Sequence, residues 1–401
     1  MTARDWRDWF RTSAPWSGPY AVLSVCAGSY FAVRFAQVVV GPVVPRLVET
    51  FAVSRGELGA ALTGMWVVYA LSQLPSGAFA DRFGERAVVL AALALTACAT
   101  LALASARTFP VFGLGVLGLG VGAGVYYNPA TTLLTREFDG VGRAIGAHRI
   151  GGQVAGVVAP LVAASVGVRY GWRAAVAIGA ALTVVAGAAF LRTTSPTAPA
   201  RPTASLDDLF ELRPIADLLA RGHTQYTAFL GMVVEFVGMA TMAFLPIFLV
   251  EHRGFPEAWA SVAFAVFFGF SAVLQPLGGW LSDRIGRDRT LAVQLTLGVA
   301  GYALLAAPVA RPLAVPAVVF AGAAMTSTPV IQSRMLDGLS AGERGTGFGV
   351  FRTVYLLVGA LGTTVVGTTA DLAGWAVAFG LQAALLGVAL VALVATLARP
   401  Q

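Results

Sequence analysis

The chain has 401 residues, 57% hydrophobic and only 12% charged, whereas an average soluble domain carries roughly twice that share of charge. It contains no lysine, so its net charge of +7 comes wholly from arginine. These arginines are scattered through short loops and form no clustered basic face, which argues against nucleic acid as a partner. The two cysteines, Cys26 and Cys98, fall inside apolar runs and leave no disulfide framework or metal-ligand spacing. Neither a metal nor another cofactor is expected.

A mixed stretch, Asp5–Arg11, opens the chain with charges and indole rings suited to the headgroup layer; no cleavable signal sequence is expected. Apolar runs long enough to cross a bilayer (about 20 residues) then follow in order. The first half predicts spans at Tyr20–Pro45, Leu58–Ala80, Ala87–Ala106, Pro110–Leu134, Ala144–Val168 and Trp172–Leu191. The second predicts Tyr226–Val250, Ala258–Leu281, Thr290–Ala310, Leu313–Ile331, Thr346–Thr369 and Trp375–Leu397. Between them lies the one long polar segment, Arg192 to His223, read as a flexible linker leading into a short surface helix at Leu206–Leu219. The expected organisation is a bundle over 1–192, a linker over 193–222 and a second bundle over 223–401. The 46 glycines, including the run Gly113–Gly124, suit helices that pack through small side chains.

Orientation follows from the 27 arginines. Arg46, Arg55, Arg107, Arg169, Arg173, Arg253 and Arg311 fall on one side, and Arg34, Arg149 and Arg352 fall inside spans. The other 17 lie on the side holding both termini, the linker and two repeated turns. The positive-inside bias makes that side, and both termini, cytoplasmic.

The repeated turns are Gly77-Ala78-Phe79-Ala80-Asp81-Arg82-Phe83-Gly84-Glu85-Arg86 and Gly279-Trp280-Leu281-Ser282-Asp283-Arg284-Ile285-Gly286-Arg287. Each follows an apolar run with a Gln at the same place, Gln73 or Gln275. A duplication at this offset marks two homologous membrane halves. Glycines permit a tight turn, Asp81 and Asp283 are placed to accept hydrogen bonds from a neighbouring helix N-terminus, and Arg82 and Arg284 can hold carbonyls or carboxylates. The competing reading is a mere topological anchor. The motif resembles the signature loop of the major facilitator superfamily, as do the six-plus-six spans and the central linker. The resemblance implies an all-α membrane protein of 12 transmembrane helices in two pseudo-symmetric six-helix bundles, acting by alternating access in the cell membrane. It further implies that Gly77, Asp81, Arg82, Gly84, Arg86, Gly279, Asp283, Arg284 and Gly286 form a conformational switch. Two departures weaken an antiporter assignment: Gly115–Gly120 has no Arg in span four, and Gly156–Ala164 replaces three glycines of the antiporter pattern with Ala.

Four charges lie at membrane depth: Arg34, Arg149, Glu235 and Arg352. An ionised group there costs several kcal/mol unless it faces water or a partner. Aligning the halves on Pro45 and Pro246 sets Arg34 opposite Glu235. Aligning Gly142-x-x-x-Gly146-x-x-Arg149 with Gly345-x-x-x-Gly349-x-x-Arg352 pairs the other two. Spans one, five, seven and eleven line the central cavity in the family. Helical spacing adds Tyr30 and Gln37 beside Arg34, Gln153 beside Arg149, and Tyr355 beside Arg352, while Met239 and Met242 follow Glu235. Tyr69, Gln73, Tyr126, Tyr127 and Asn128 complete the candidate lining, and Pro129 aligns with Pro329.

Competing readings stand beside these. Arg149 and Arg352 lie roughly 9 and 12 Å of helix rise beyond Arg143 and Arg344, close enough to snorkel to the cytoplasmic surface. Arg34 and Glu235 could be a structural ion pair. His148 is either a packed histidine or a proton carrier beside Glu235. The tyrosines of span four and the methionines of span seven could serve packing alone. The leading expectation is a monomeric secondary transporter of a small organic anion, gripped by Arg149, Arg352 and Arg34, with Glu235 titrating to couple transport. The alternative is a drug/proton antiporter exporting hydrophobic or cationic compounds. A receptor reading lacks an attached output domain, and an enzyme reading lacks a nucleophile–base spacing, phosphate loop or metal cluster.

Overall fold

The computed structural model describes residues 18–138, 141–199, 221–308, 310–339 and 344–397. Every regular element among them is helical, and they compose twelve long helices. The first half comprises α1 (Pro19–Phe51), α2 (Arg55–Phe83), α3 (Glu85–Ser105), α4 (Phe109–Glu137), α5 (Val141–Val162, continued through a wide turn at Ala163–Gly167) and α6 (Trp172–Thr193). The second comprises α7 (Gly222–Glu251), α8 (Glu257–Ile285), α9 (Arg287–Ala306), α10 (Arg311–Asp337), α11 (Arg344–Ala373) and α12 (Trp375–Leu397). Eleven are long and apolar enough to span a bilayer. The twelfth, α2, has ample length at 29 residues but carries Glu57, Gln73, Asp81 and Arg82.

The helices outrun the apolar runs where polar residues continue the backbone ladder. Ser54 and Glu57 form a reciprocal capping box that starts α2 ahead of its apolar stretch. Span nine is shorter than its hydropathy suggests: α9 stops at Ala306 and Ala307 is extended, because the residue before Pro308 is pushed out of the helical region. Two internal breaks share one cause. The ladder is interrupted at Val39 and at Thr326, where the rings of Pro42 and Pro329 collide with the carbonyl four residues earlier.

Four turns repeat one geometry. Gly84, Gly171, Gly286 and Gly374 have φ of 84°, 88°, 93° and 85°, a region that favours glycine. Each donates its N–H to the carbonyl four residues back, at 2.8–3.1 Å, and its own carbonyl accepts from the helix that follows. Two of the turns, Gly84 and Gly286, lie on the face of the repeated motif, here the repeat face. The other two lie on the opposite, far face.

Within the first half α1 packs on α5, α2 on α4, and α3 on α4 and α6. In the second, α7 packs on α11, and α9 on α10 and α12. The halves meet through α2 with α11, α5 with α8, and the outer part of α1 with α7. The α4 glycines serve two neighbours in alternation. Gly115, Gly118 and Gly122 lie against Leu103, Ala99 and Thr96 of α3, while Gly120 and Gly124 face the Met65 and Tyr69 carbonyls of α2.

The segment 1–17 and residues 200–220, with the expected surface helix at Leu206–Leu219, lie outside the described residues. The described start of the linker is tied down. Arg86 donates to the Leu191 carbonyl at 2.7 Å and to Thr194 Oγ1 at 3.2 Å, and its backbone N–H donates to Thr197 Oγ1 at 3.1 Å.

A Cβ at Gly120 would overlap the Met65 carbonyl, whereas Gly113 has open space. Gly120→Val is therefore expected to destabilise the α2–α4 contact by about 1–3 kcal/mol. On a thermal ramp of the detergent-purified protein it unfolds several degrees early, and Gly113→Val matches the wild type.

Candidate functional site

A cavity of about 210 Å³ lies between the halves, at mid-depth along the helices. Helix α1 contributes Tyr30 and Arg34, α2 Trp66 and Tyr69, and α5 Arg149 and Gln153. From the other half come Glu235, Met239 and Met242 of α7, Phe267, Phe268, Ser271 and Gln275 of α8, Met325, Thr328 and Gln332 of α10, and Arg352 and Tyr355 of α11. The four charges that hydropathy leaves unexplained thus converge on one space.

Their direct contacts are with neutral groups. Arg34 Nη1 donates to Gln37 Oε1 at 2.8 Å, and its guanidinium carbon lies 5.9 Å from the Trp66 ring. Arg352 crosses between halves, with its guanidinium carbon 5.4 Å from the Tyr127 ring. Such cation–π contacts contribute about 0.5–2 kcal/mol and leave the in-plane N–H donors open. Among the described residues no carboxylate comes within ion-pair distance of Arg34, Arg149 or Arg352. Glu235 accepts a 3.0 Å hydrogen bond from Thr328 Oγ1 instead. The symmetry-related Arg34 and Glu235 are therefore not an ion pair in this conformer. Nor do Arg149 and Arg352 turn away to the repeat face, since both line the cavity.

Other expected lining residues sit behind the wall. Tyr126 is fully buried, donates to the Cys26 carbonyl at 2.7 Å and lies 3.3 Å from His148 Nε2. His148 is fully buried, its ring 4.8 Å from that of Tyr30 and 5.6 Å from that of Tyr127. Asn128 spends its amide on the Gln73 carbonyl and Ser76 Oγ, both at 2.9 Å. Pro129 cannot donate to the carbonyl four residues earlier, and this side-chain bridge stiffens α4 against α2 at that point. Gln37 reaches the site only through Arg34. Sequence reasoning missed Trp66, Phe268, Thr328 and Gln332. Thr328 had a signal, because the alignment of Pro129 with Pro329 makes it the counterpart of Asn128.

Clasps on the far face close the halves over this cavity. Arg46 of α1 holds Glu257 of α8 at 2.8 Å and also donates to the Gly167 carbonyl in the wide turn of α5. Arg55 of α2 reaches Glu251 of α7 and lies 3.0 Å from Asp371 of α11. Asp371 also caps α2, accepting from the Gly56 N–H at 2.7 Å. Below them Thr63 Oγ1 donates to the Ala360 carbonyl and meets both Thr363 and Thr364 hydroxyls at 2.7 Å.

On the repeat face the ion pairs among the described residues stay within one half. Glu85 pairs with Arg136 at 2.7 Å, Arg287 with Asp283 and Asp337, and Arg334 with Asp288. Asp283 accepts from Arg287 rather than from a helix N-terminus, and Arg284 stacks 4.1 Å over Trp280. Arg82 likewise lies 5.4 Å over Phe83. A Cβ at Gly77 or Gly279 would meet open space.

These features define a polytopic membrane protein of two related six-helix halves around a central polar cavity. A family model described as the Major Facilitator Superfamily matches residues 26–363 and 227–401, and the chain belongs to that superfamily of transporters. It is 24% identical over 379 residues to a phosphoglycerate transporter protein of Salmonella typhimurium, covering 82% of this chain and 78% of that protein. It is 25% identical to a probable sulfoacetate transporter of Cupriavidus necator, covering 82% and 84%. Similarity to a probable nitrate/nitrite antiporter of Thermus thermophilus reaches 28% identity, but over 55% of this chain and only 52% of that protein. Among solved structures, a nucleoside transporter superposes with a TM-score of 0.81 at 17% identity, over 94% of this chain and 99% of that one.

The clasps are partly exposed, so each contributes roughly 0.2–1 kcal/mol, and together they set the far-face equilibrium. In a background carrying Cys26→Ser and Cys98→Ser, a Thr63→Cys reporter is expected to label slowly with a membrane-impermeant maleimide. Adding Arg46→Ala and Arg55→Ala raises that labelling severalfold; an unchanged rate would show that packing alone closes the face.

Proposed function

We propose that this transporter moves a small organic anion across the cell membrane by alternating access, as a monomer with both termini cytoplasmic. The observation that carries this reading is the convergence of Arg34, Arg149 and Arg352 on one cavity, with no carboxylate within ion-pair distance of them among the described residues. Guanidinium groups at membrane depth need anionic compensation, and they grip carboxylate, sulfonate or phosphate in a two-pronged geometry. The relatives named for phosphoglycerate, sulfoacetate and nitrate all point to anions. Bundles at 1–192 and 223–401 are the rocking halves, joined by the linker over 193–222, and the arginine bias puts the repeat face in the cytoplasm.

Arg149 from one half and Arg352 from the other form the clamp, so the anion itself bridges the halves. Arg34, oriented by Gln37, is the third contact. Glu235 is the coupling group: its hydrogen bond to Thr328 and its place among cations let its protonation follow anion binding. The loop residues Asp81, Arg82, Asp283 and Arg284 act when the repeat face closes.

Arg149→Gln combined with Arg352→Gln is expected to abolish anion uptake into proteoliposomes, and retained uptake would sink the reading. Glu235→Gln is expected to flatten the pH dependence of uptake while preserving anion counterflow across a membrane without a proton gradient. A pH profile identical to wild type would remove Glu235 from the coupling role.

A further inference from the structure

The cavity is divided by chemistry. The three arginines come from α1, α5 and α11, joined by Tyr30 of α1 and Tyr69 of α2. A second wall, from α7, α8 and α10, carries Met239, Met242, Phe267, Phe268 and Met325. Of these, Met242, Phe268 and Met325 are half-buried and keep part of their surface toward the space. The polar side chains on that wall each have a protein partner, with Gln275 and Gln332 each using one end of the amide. Gln275 accepts from Gln153 at 3.1 Å, Gln332 donates to Tyr355 at 2.9 Å, and Ser271 donates to the Phe267 and Gly322 carbonyls at 2.7 and 3.0 Å. Glu235 stands on the same wall, held by Thr328 at 3.0 Å.

We infer that the substrate is an organic monoanion with an apolar body, bound head-first: the anionic group on the arginines, the body against the methionine and phenylalanine wall. This deepens the anion-transporter reading and rests on it. Three features of the cavity exclude other anion types. Its volume of about 210 Å³ is far more than an inorganic ion such as nitrate fills. A polyhydroxylated body would strand its hydroxyls against thioether and phenyl surfaces, which cannot satisfy them. A second anionic end would face the Glu235 carboxylate, which repels it when ionised.

The test measures binding to the detergent-purified full chain by titration calorimetry, with phenylacetate and 4-methylpentanoate as apolar-bodied probes. Acetate, nitrate and succinate serve as small, inorganic and two-headed comparisons. The apolar-bodied acids are expected to bind at least about tenfold more tightly, the discrimination one or a few methylenes earn in an apolar pocket. Phe268→Ala and, independently, Met325→Ala should weaken phenylacetate by about tenfold and leave acetate unchanged, each variant first shown to elute as a single monodisperse species. Equal or tighter binding of nitrate, acetate or succinate overturns the inference, as does loss of acetate and phenylacetate in equal measure in both wall variants. In those cases the anion reading survives if Arg149→Gln with Arg352→Gln still abolishes binding. Binding that persists in that double variant, or no binding of any anion, overturns the anion reading as well.

Discussion

Three guanidinium groups held at membrane depth, with no carboxylate in ion-pair distance among the described residues, constrain everything around them. Burying even one such ion in hydrocarbon costs several kcal/mol, so the space they share has to stay wet or hold an anion. That requirement forces the bundle to part at its centre. It explains why Arg34, Arg149 and Arg352 lie on helices that face the gap, and why a neutral acceptor, the Gln37 amide oxygen, orients Arg34 in place of an acid. An acid at each position would satisfy the charge and leave nothing for a ligand.

The far-face clasps divide the labour by charge. The first half supplies Arg46 and Arg55, and the second supplies Glu251, Glu257 and Asp371. Close glycine contacts reinforce them, with Gly59 packed on the Thr363 carbonyl and Gly41 on that of Met242. On the repeat face the ion pairs among the described residues lie within each half. The conformer is thus closed by complementary charge on one side and merely self-satisfied on the other.

Much of this was legible in the sequence, because membrane helices announce themselves by length and because a duplicated motif fixes the halves. The four membrane charges were readable for the same reason: lipid tolerates so few that each one must face inward. Tyr126, His148 and Asn128 lie outside the cavity lining. His148 is one residue, a rotation of about 100°, from Arg149, and Tyr126 and Asn128 spend their polar groups on backbone and side chains of the first half. The apolar wall was hidden by its ordinariness, since Phe268 and Met325 look like any lipid- or core-facing residue. The Arg34–Glu235 pair was plausible from symmetry alone, but symmetry carries no information about Thr328, which takes the carboxylate.

The four glycine turns carry one more consequence. Gly84 and Gly171, like Gly286 and Gly374, are the same structural joint met twice within a single half, once at each membrane surface. A joint repeated at both surfaces is what a half made of two inverted three-helix modules would carry. A conformation adopted by one module is stereochemically available to its inverted twin. Exchanging the two shapes would turn a molecule sealed at one surface into its mirror-access counterpart. The resting structure accordingly contains, in its own internal duplication, a template for the state it has yet to visit.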